Sequence, residues 1–513
     1  MGRRTPVTTL ARVPRHVEPA LVELKERLGE IADLNRAGSV LAWDLEVWMP
    51  PTGGQSRATQ LETLERLIHG KSIDDRIGEL LDELEPYASS LPHDADDACL
   101  IRVARRDWEK ARKIPPELAG ELAKTAAETH QVWVAAREAG DFEAFRPALE
   151  RMLELVRRKL ECFAPYEDPY DVLLDDFEEG LRTDQVTEIF EALQPELTAL
   201  VAEHASDEDD DLLKGPFPID RQDALSREII EAFGVTWDSF RLDLTVHPFE
   251  VPFGIGDIRL TTRYDEMDLN SLFTAMHESG HGLYEYGVSP ELDRTPLHRG
   301  VSSALHESQS RLWENVVGRS LPFWRWFFPR LQETFPTKFG SVPVEAFHRA
   351  VNRVQRSFIR VDADETTYGL HVILRFELER ELFSGRLAVA DLPDAWNTRF
   401  QELLGLEVPD DRHGVLQDSH WASGYFGYFP TYLIGSVLSV QMWEKAAEAI
   451  PDVEERMEQG DFSDLGAWLR DNVHAMGRKF TPTETVERVV GGPIAPEPYL
   501  AYLREKRDAY AAA

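Results

Sequence analysis

Residues 268–287 read DLNSLFTAMHESGHGLYEYG, and their pattern of apolar side chains decides how this part of the chain folds. The apolar residues recur at three- and four-residue intervals, which predicts a helix with one buried face. Asp268 or Asn270 can cap its start. Gly280 and Gly282 weaken an isolated helix, so we expect a closely packed neighbour at these positions. The predicted buried stripe contains Leu269, Leu272, Phe273, Met276 and Leu283.

The same helix contains the pattern H-E-x-x-H at residues 277–281. His277 and His281 lie one turn apart on one face, so both imidazoles can bind one Zn²⁺ ion. Glu278 lies one position further round the helix, where it can contact a metal-bound water without ligating the metal. We therefore predict one zinc ion per chain, replaceable by Co²⁺, with Glu278 as the catalytic base.

A third ligand is needed, and the residues alone leave three candidates. The pattern that would supply a third histidine requires Gly at 284 and His at 287, but these are Tyr284 and Gly287. Residues 301–319 form a predicted second helix, on which Glu307 and Glu314 share a face and can both reach the metal. Glu285, one turn beyond His281, is a weaker candidate.

Most of the remaining chain has helical periodicity, for example in residues 17–48 and 115–139. Residues around 240–264 differ, because they alternate apolar and polar side chains between Pro and Gly; they predict two or three strands of a small antiparallel sheet just before the H-E-x-x-H helix. No linker divides the chain, so we predict a mainly α-helical single unit over 1–513. A helical part would span 1–235 and a catalytic part 236–513. The uncharged segment 425–443 is interrupted by Gly, Pro and polar residues, which favours a buried helix over a membrane span.

The charge balance excludes several classes of partner. The chain has 92 acidic and 56 basic side chains, for a formal net charge of -36. Such a surface repels nucleic-acid phosphate and anionic lipid. Lysine is scarce beside arginine, and an acidic, lysine-poor composition is typical of halophilic, salt-adapted proteins. Two cysteines and the absence of an apolar signal core at the N-terminus predict a cytoplasmic protein.

Six short motifs, in one order, resemble those of the carboxypeptidase Taq family of prokaryotic zinc metallocarboxypeptidases. They are HPF at 247–249, DIRLT at 257–261, HESGH at 277–281 followed by HESQ at 306–309, IRVDAD at 359–364, GVLQDSHW at 414–421 and GYFPTY at 427–432. The resemblance implies that Glu307 is the third ligand. It also implies a helical fold with a deep substrate groove, a homodimer, and release of single amino acids from peptide C-termini.

Candidate substrate groups follow from these motifs and from residue chemistry. A carboxypeptidase must bind a free α-carboxylate, and a planar guanidinium suits it; the family motif favours Arg360, against an ion pair with Asp362 or Asp364. Arg259 either assists this binding or forms an ion pair with Asp257.

Tyr428 or Tyr432 can stabilise the oxyanion, or both are core aromatics. His247 and His420 either line the groove or are simply packed, and Gln417 and Asp418 can orient a zinc-bound imidazole.

Two other functions are compatible with the residues. An endo- or dipeptidase-type oligopeptidase can use the same scaffold, and a chain without bound metal would be a peptide-binding protein.

Overall fold

A computed structural model describes residues 13–206 and 211–511 of the chain. The described residues are mainly α-helical, with one small three-stranded sheet. Their fold class is therefore the one that the sequence predicts.

Twenty-one α-helices are found in the described part of the chain. In the first half they are α1 (Glu18–Val47), α2 (Gly54–Ser72), α3 (Asp75–Ala88), α4 (Asp96–Lys113), α5 (Pro116–Ala139), α6 (Phe142–Glu161), α7 (Pro169–Leu174), α8 (Thr183–His204) and α9 (Ile219–Phe233). In the second half they are α10 (Asn270–Gly287), α11 (Ser303–Arg311), α12 (Leu321–Thr334), α13 (Pro336–Phe339), α14 (Val344–Val351), α15 (Tyr368–Ser384), α16 (Leu392–Leu404), α17 (Phe429–Ala449), α18 (Val453–Met457), α19 (Ser463–Asn472), α20 (Pro482–Val490) and α21 (Pro496–Ala511).

The sheet precedes α10 and is mixed rather than wholly antiparallel. Its strands are β1 (Phe240–Leu244), β2 (Glu250–Gly254) and β3 (Asp257–Thr262), in the order β1-β3-β2. β2 and β3 form an antiparallel pair, but β1 runs parallel to β3, so the prediction of an antiparallel sheet is wrong for that pair. The chain reverses twice between β1 and β3, and β2 itself is part of the crossover. Alternation of side chains predicts strands, but it does not predict their spatial order.

Helix α10 lies between the sheet and α11, at the spacing that its two glycines allow. A Cβ atom on Gly280 would lie 2.6 Å from the carbonyl oxygen of Gln309 in α11. One on Gly282 would lie 2.8 Å from Leu260 Cδ2 in β3. The expectation of a closely packed neighbour is confirmed on both sides. At the start of α10, the Asp268 carboxylate accepts the Asn270 N–H at 2.9 Å.

A large hydrophobic core surrounds these elements and includes residues of both predicted parts, from Trp133 to Leu503. Helix α17 is buried over most of its length and packs along α11. None of the helices in the described ranges is both long and apolar enough to cross a bilayer. The interpretation of residues 425–443 as a buried helix is confirmed for the part that lies in α17.

Candidate metal centre

Three side chains with metal-binding atoms converge where α10 crosses α11. His281 Nε2 lies 3.4 Å from Glu307 Oε2, and His277 Nε2 lies 3.7 Å from the same oxygen. One ligand atom from each of the three residues lies within 4.8 Å of the other two. Two imidazoles one turn apart and a buried carboxylate on the facing helix can thus share one cation.

The other ring nitrogen of each histidine is held by a second group. His277 Nδ1 lies 2.9 Å from Glu314 Oε2. His281 Nδ1 lies 2.6 Å from His306 Nδ1, and His306 Nε2 lies 2.9 Å from Glu285 Oε1. Acceptors at both Nδ1 atoms favour the tautomer with its lone pair on Nε2, the atom that faces Glu307. Glu314 and Glu285 therefore lie outside the group of three and orient it.

Arg311 balances the negative charge of this cluster. Its Nε donates to Glu307 Oε1 at 2.7 Å, and its Nη1 donates to Glu314 Oε2 at 3.3 Å. Burial opposes ionisation of Glu307, but Arg311 and the two histidines outweigh it and hold the pKa of this carboxyl well below its usual range. Glu314 is also held ionised, with its pKa lowered to about 2 against the effect of burial by His277 and the Arg311 guanidinium. Both acids are therefore carboxylates at neutral pH.

Glu278 has the opposite protonation behaviour. Its side chain is 6% exposed, and burial, with the nearby Glu307 and Glu314 carboxylates, raises its pKa to about 7 against the effect of His277. A carboxyl group whose pKa lies near neutral pH can accept and return a proton under working conditions.

The GYFPTY segment places two tyrosines near enough to Glu307 for its charge to raise the pKa of both phenols. Tyr428 is the N-cap residue of α17, and its ring lies 5.2 Å from that of Tyr432. The Tyr432 hydroxyl lies 3.1 Å from His420 Nε2. Burial raises the pKa of Tyr428, and the charge of Glu307 adds to the effect, so the phenol remains protonated. Burial also lowers the pKa of His420 to about 3, which keeps that imidazole neutral.

Arg360 is buried and paired, but with neither Asp362 nor Asp364. Its Nε and Nη2 donate to Asp418 Oδ1 at 3.1 and 2.9 Å, and its Nη1 donates to the Tyr368 hydroxyl at 2.8 Å. Arg375 Nε donates to the other Asp418 oxygen at 2.6 Å. Two guanidinium groups thus share one carboxylate, which leaves an excess positive charge beside Tyr432. Asp418 orients arginines here, not the imidazole predicted from sequence, and Gln417 accepts the Arg360 backbone N–H at 2.9 Å.

The two remaining predicted substrate residues lie in or next to the sheet. Arg259 forms an ion pair with Asp257 and lies 5.1 Å above the Trp43 ring, on the sheet face turned to α1. His247 is exposed in the loop between β1 and β2. Among the described residues, neither side chain forms a hydrogen bond or ion pair with the group of three.

Comparison with known proteins assigns this chain to a family. The sequence model of the carboxypeptidase Taq (M32) metallopeptidase family matches residues 23–507 of this chain. The chain belongs to this family. It is 42% identical to thermostable carboxypeptidase 1 of Thermus thermophilus over 95% of this chain and 98% of the relative. It is also 34% identical to carboxypeptidase 1 of Bacillus subtilis, over 94% of this chain and 97% of that protein.

The fold is likewise that of M32 enzymes. The crystal structure of the M32 carboxypeptidase from Deinococcus radiodurans superposes with a TM-score of 0.93 at 40% identity, covering 96% of this chain and 100% of the other. A carboxypeptidase structure from Pyrococcus furiosus gives a TM-score of 0.91 at 35% identity, over 95% and 98% of the two chains. The chain is therefore a metallocarboxypeptidase, and the family resemblance seen in the motifs is confirmed.

Sequence alone does not assign roles to the groups that surround this site. It indicates Glu314 and Glu285 only as candidate ligands, and it singles out neither Arg311 nor Arg375. Arg311 had a visible signal, because it lies one turn after Glu307 on the same helix face. The pairing of Arg375 with Asp418 spans 43 residues of sequence and gives no such signal.

Proposed function

We propose that this chain is a zinc carboxypeptidase that removes one amino acid at a time from the C-termini of peptides. The observation that supports it most directly is the convergence of His277 Nε2, His281 Nε2 and Glu307 Oε2, with both Nδ1 atoms bonded elsewhere. Two neutral imidazoles and one carboxylate are the donor set of a catalytic zinc ion with an open fourth position. Co²⁺ has similar ligand preferences and is expected to replace zinc.

Glu278 and Tyr428 have separate roles in the proposed reaction. When bound, the metal supplies a Lewis acid that acidifies a water and polarises the scissile carbonyl. Glu278 accepts the proton of the attacking water and passes it to the leaving amine. The phenol of Tyr428 donates a hydrogen bond to the oxygen on which negative charge develops.

Recognition of the C-terminus would use the excess positive charge near Tyr432. Arg360 binds the substrate α-carboxylate, while Arg375 continues to neutralise Asp418. We also propose that Tyr432 and His420, whose polar atoms lie 3.1 Å apart, contact the substrate near this anchor, and that Arg259 and His247 contact it elsewhere along the peptide. We also propose a cytoplasmic, salt-adapted homodimer, on the grounds of composition and the family resemblance.

Time-resolved mass spectrometry of a short synthetic peptide tests the reaction. Successive loss of single C-terminal residues is the expected result, and amidation of the C-terminus should abolish it because the α-carboxylate is lost. Internal cuts or dipeptide release would instead indicate an oligopeptidase. Elemental analysis of protein purified without chelator should find about one zinc ion per chain; absence of any transition metal would favour a peptide-binding protein.

A further inference from the structure

The segment Tyr170–Glu178 lies in the predicted helical part of the chain, where no family motif was found. It comprises most of α7 and the turns that follow it. Although distant in sequence from the H-E-x-x-H motif, this segment contacts both α11 and the loop that precedes α17. These two elements contain Glu307 and Tyr428.

The first contact is at the N-terminus of α11. The Ala304 N–H donates to Glu178 Oε1, and the Ser303 N–H donates to the carbonyl oxygen of Phe177 at 3.1 Å. The next N–H, of Leu305, donates to Ser302 Oγ at 3.3 Å. The first N–H groups of a helix have no partner within the helix, so two of these three are satisfied by the segment.

The position of this cap matters because α11 is short. It has nine residues, and Ala304 lies one turn before Glu307. Glu178 is 4% exposed, so water does not compete for its contact with Ala304. A shift of the capped turn would therefore move the Glu307 carboxylate and His306 together.

The second contact is with the loop before α17. The Phe177 ring meets the Tyr428 ring edge-on, with centroids 4.9 Å apart. At the other end of the segment, the Tyr170 hydroxyl donates to Glu379 Oε2 at 2.6 Å, and the same oxygen accepts the Gly427 N–H at 2.9 Å. The residue before Tyr428 is thus tied to the segment through one buried carboxylate.

We propose that Tyr170–Glu178 is a positioning segment of the catalytic site, in which Glu178 fixes the ligand Glu307 and Phe177 fixes Tyr428. The proposal rests on the roles given to Glu307 and Tyr428 above. It differs from simple packing because the two adjacent residues act on different steps, one on metal binding and the other on turnover.

Glu178→Ala tests the first role, with Co²⁺ as the probe. We expect Co²⁺ affinity, measured by chelator competition, to fall about tenfold, and the visible absorption of bound Co²⁺ to change because a ligand has moved. Glu178→Gln should recover affinity to within about threefold, since its amide oxygen still accepts the Ala304 N–H. Glu179→Ala is the matched control, because Glu179 pairs with Arg106 instead, and it should leave both measurements unchanged.

Phe177→Leu tests the second role. We expect kcat to fall about tenfold while KM and Co²⁺ affinity stay at wild-type values, because only the support of Tyr428 is lost. Phe163→Leu, which removes a ring that contacts Lys113, is the control and should not change kcat. The Phe177→Leu variant keeps the proposal testable if Glu178→Ala does not fold.

Unchanged Co²⁺ affinity and absorption in folded Glu178→Ala, or unchanged kcat in Phe177→Leu, would overturn the proposal. Failure of the wild-type protein to bind Co²⁺ would overturn the proposed function instead, so the two failures are distinguishable.

Discussion

Glu278 and Glu307 each stand between a histidine and a serine in the triplet His-Glu-Ser, but helix geometry gives them different neighbours. In α10 the histidine faces the cluster and its glutamate lies one position round the helix. In α11 the order is reversed, because Glu307 faces the cluster and His306 lies behind His281. Under the proposed function, the same three letters therefore supply the base in one helix and a metal-facing carboxylate in the other.

Glu278→Gln is predicted to separate metal binding from turnover. The amide cannot accept a proton, and Glu278 is not in the group of three, so kcat should fall by a factor of about 10² to 10⁴ while metal content stays at the wild-type level. Steady-state kinetics and elemental analysis of the same preparation measure both quantities. Retention of most of the wild-type kcat would exclude Glu278 as the base.

Glu307→Ala and Glu314→Ala are predicted to differ in kind. Glu307→Ala removes one of three ligands and should leave no stoichiometric metal after dialysis. Glu314→Ala removes only the partner of His277 Nδ1, so metal should remain bound with an affinity lower by about 10- to 100-fold. Competition with a chromogenic chelator measures both affinities, and the opposite ranking would show that Glu314 is the ligand.

At the scale of elements, the site depends on how closely α10 and α11 cross. Gly280→Ala places a Cβ atom 2.6 Å from a backbone oxygen of α11, so the helices must separate. We expect the free energy of unfolding to fall by about 1–3 kcal/mol and metal affinity to fall with it. Gly120→Ala is the matched control, because a Cβ there meets no atom within 4 Å and should stabilise α5 by about 0.5–1 kcal/mol. Equal effects of the two substitutions in chemical denaturation would contradict this interpretation.

The elements that sequence predicts well are those defined by short-range patterns. The α10 helix, its pair of histidines and four of the five residues of its buried stripe follow from spacing within one stretch, whereas Leu283 is only half-buried. The glycines correctly indicate where neighbours approach. Long-range pairing is not encoded in any such spacing. Arg360 meets Asp418 across 58 residues, and Ala304 meets Glu178 across 126, because tertiary packing brings their elements together. For the same reason, alternation predicted the strands but not the parallel pairing of β1 with β3.

At the scale of the whole molecule, the net charge of -36 is the dominant electrostatic feature. Like charges on one compact surface repel one another, and unfolding relieves that repulsion by moving them apart. Many basic groups already form ion pairs with acids at the surface, such as Arg76 with Glu23 and Arg456 with Asp461. Acidic side chains outnumber basic ones, so many of them have no basic partner and only mobile cations can screen their charge.

Salt is therefore predicted to stabilise the folded chain. The screening length falls from about 10 Å at 0.1 M to about 3 Å at 1 M ionic strength, which removes most repulsion between separated carboxylates. Stability should rise with KCl over this range because the loss of repulsion among excess acids exceeds the loss of attraction within exposed ion pairs, which contribute little individually. Differential scanning calorimetry should show the midpoint of unfolding increasing by several degrees between these two concentrations.

An uncharged solute at equal osmolality is the control, since it changes hydration without screening charge. A midpoint that is flat or falls in KCl relative to that control would contradict salt adaptation, and would show that attraction within the surface ion pairs outweighs the repulsion.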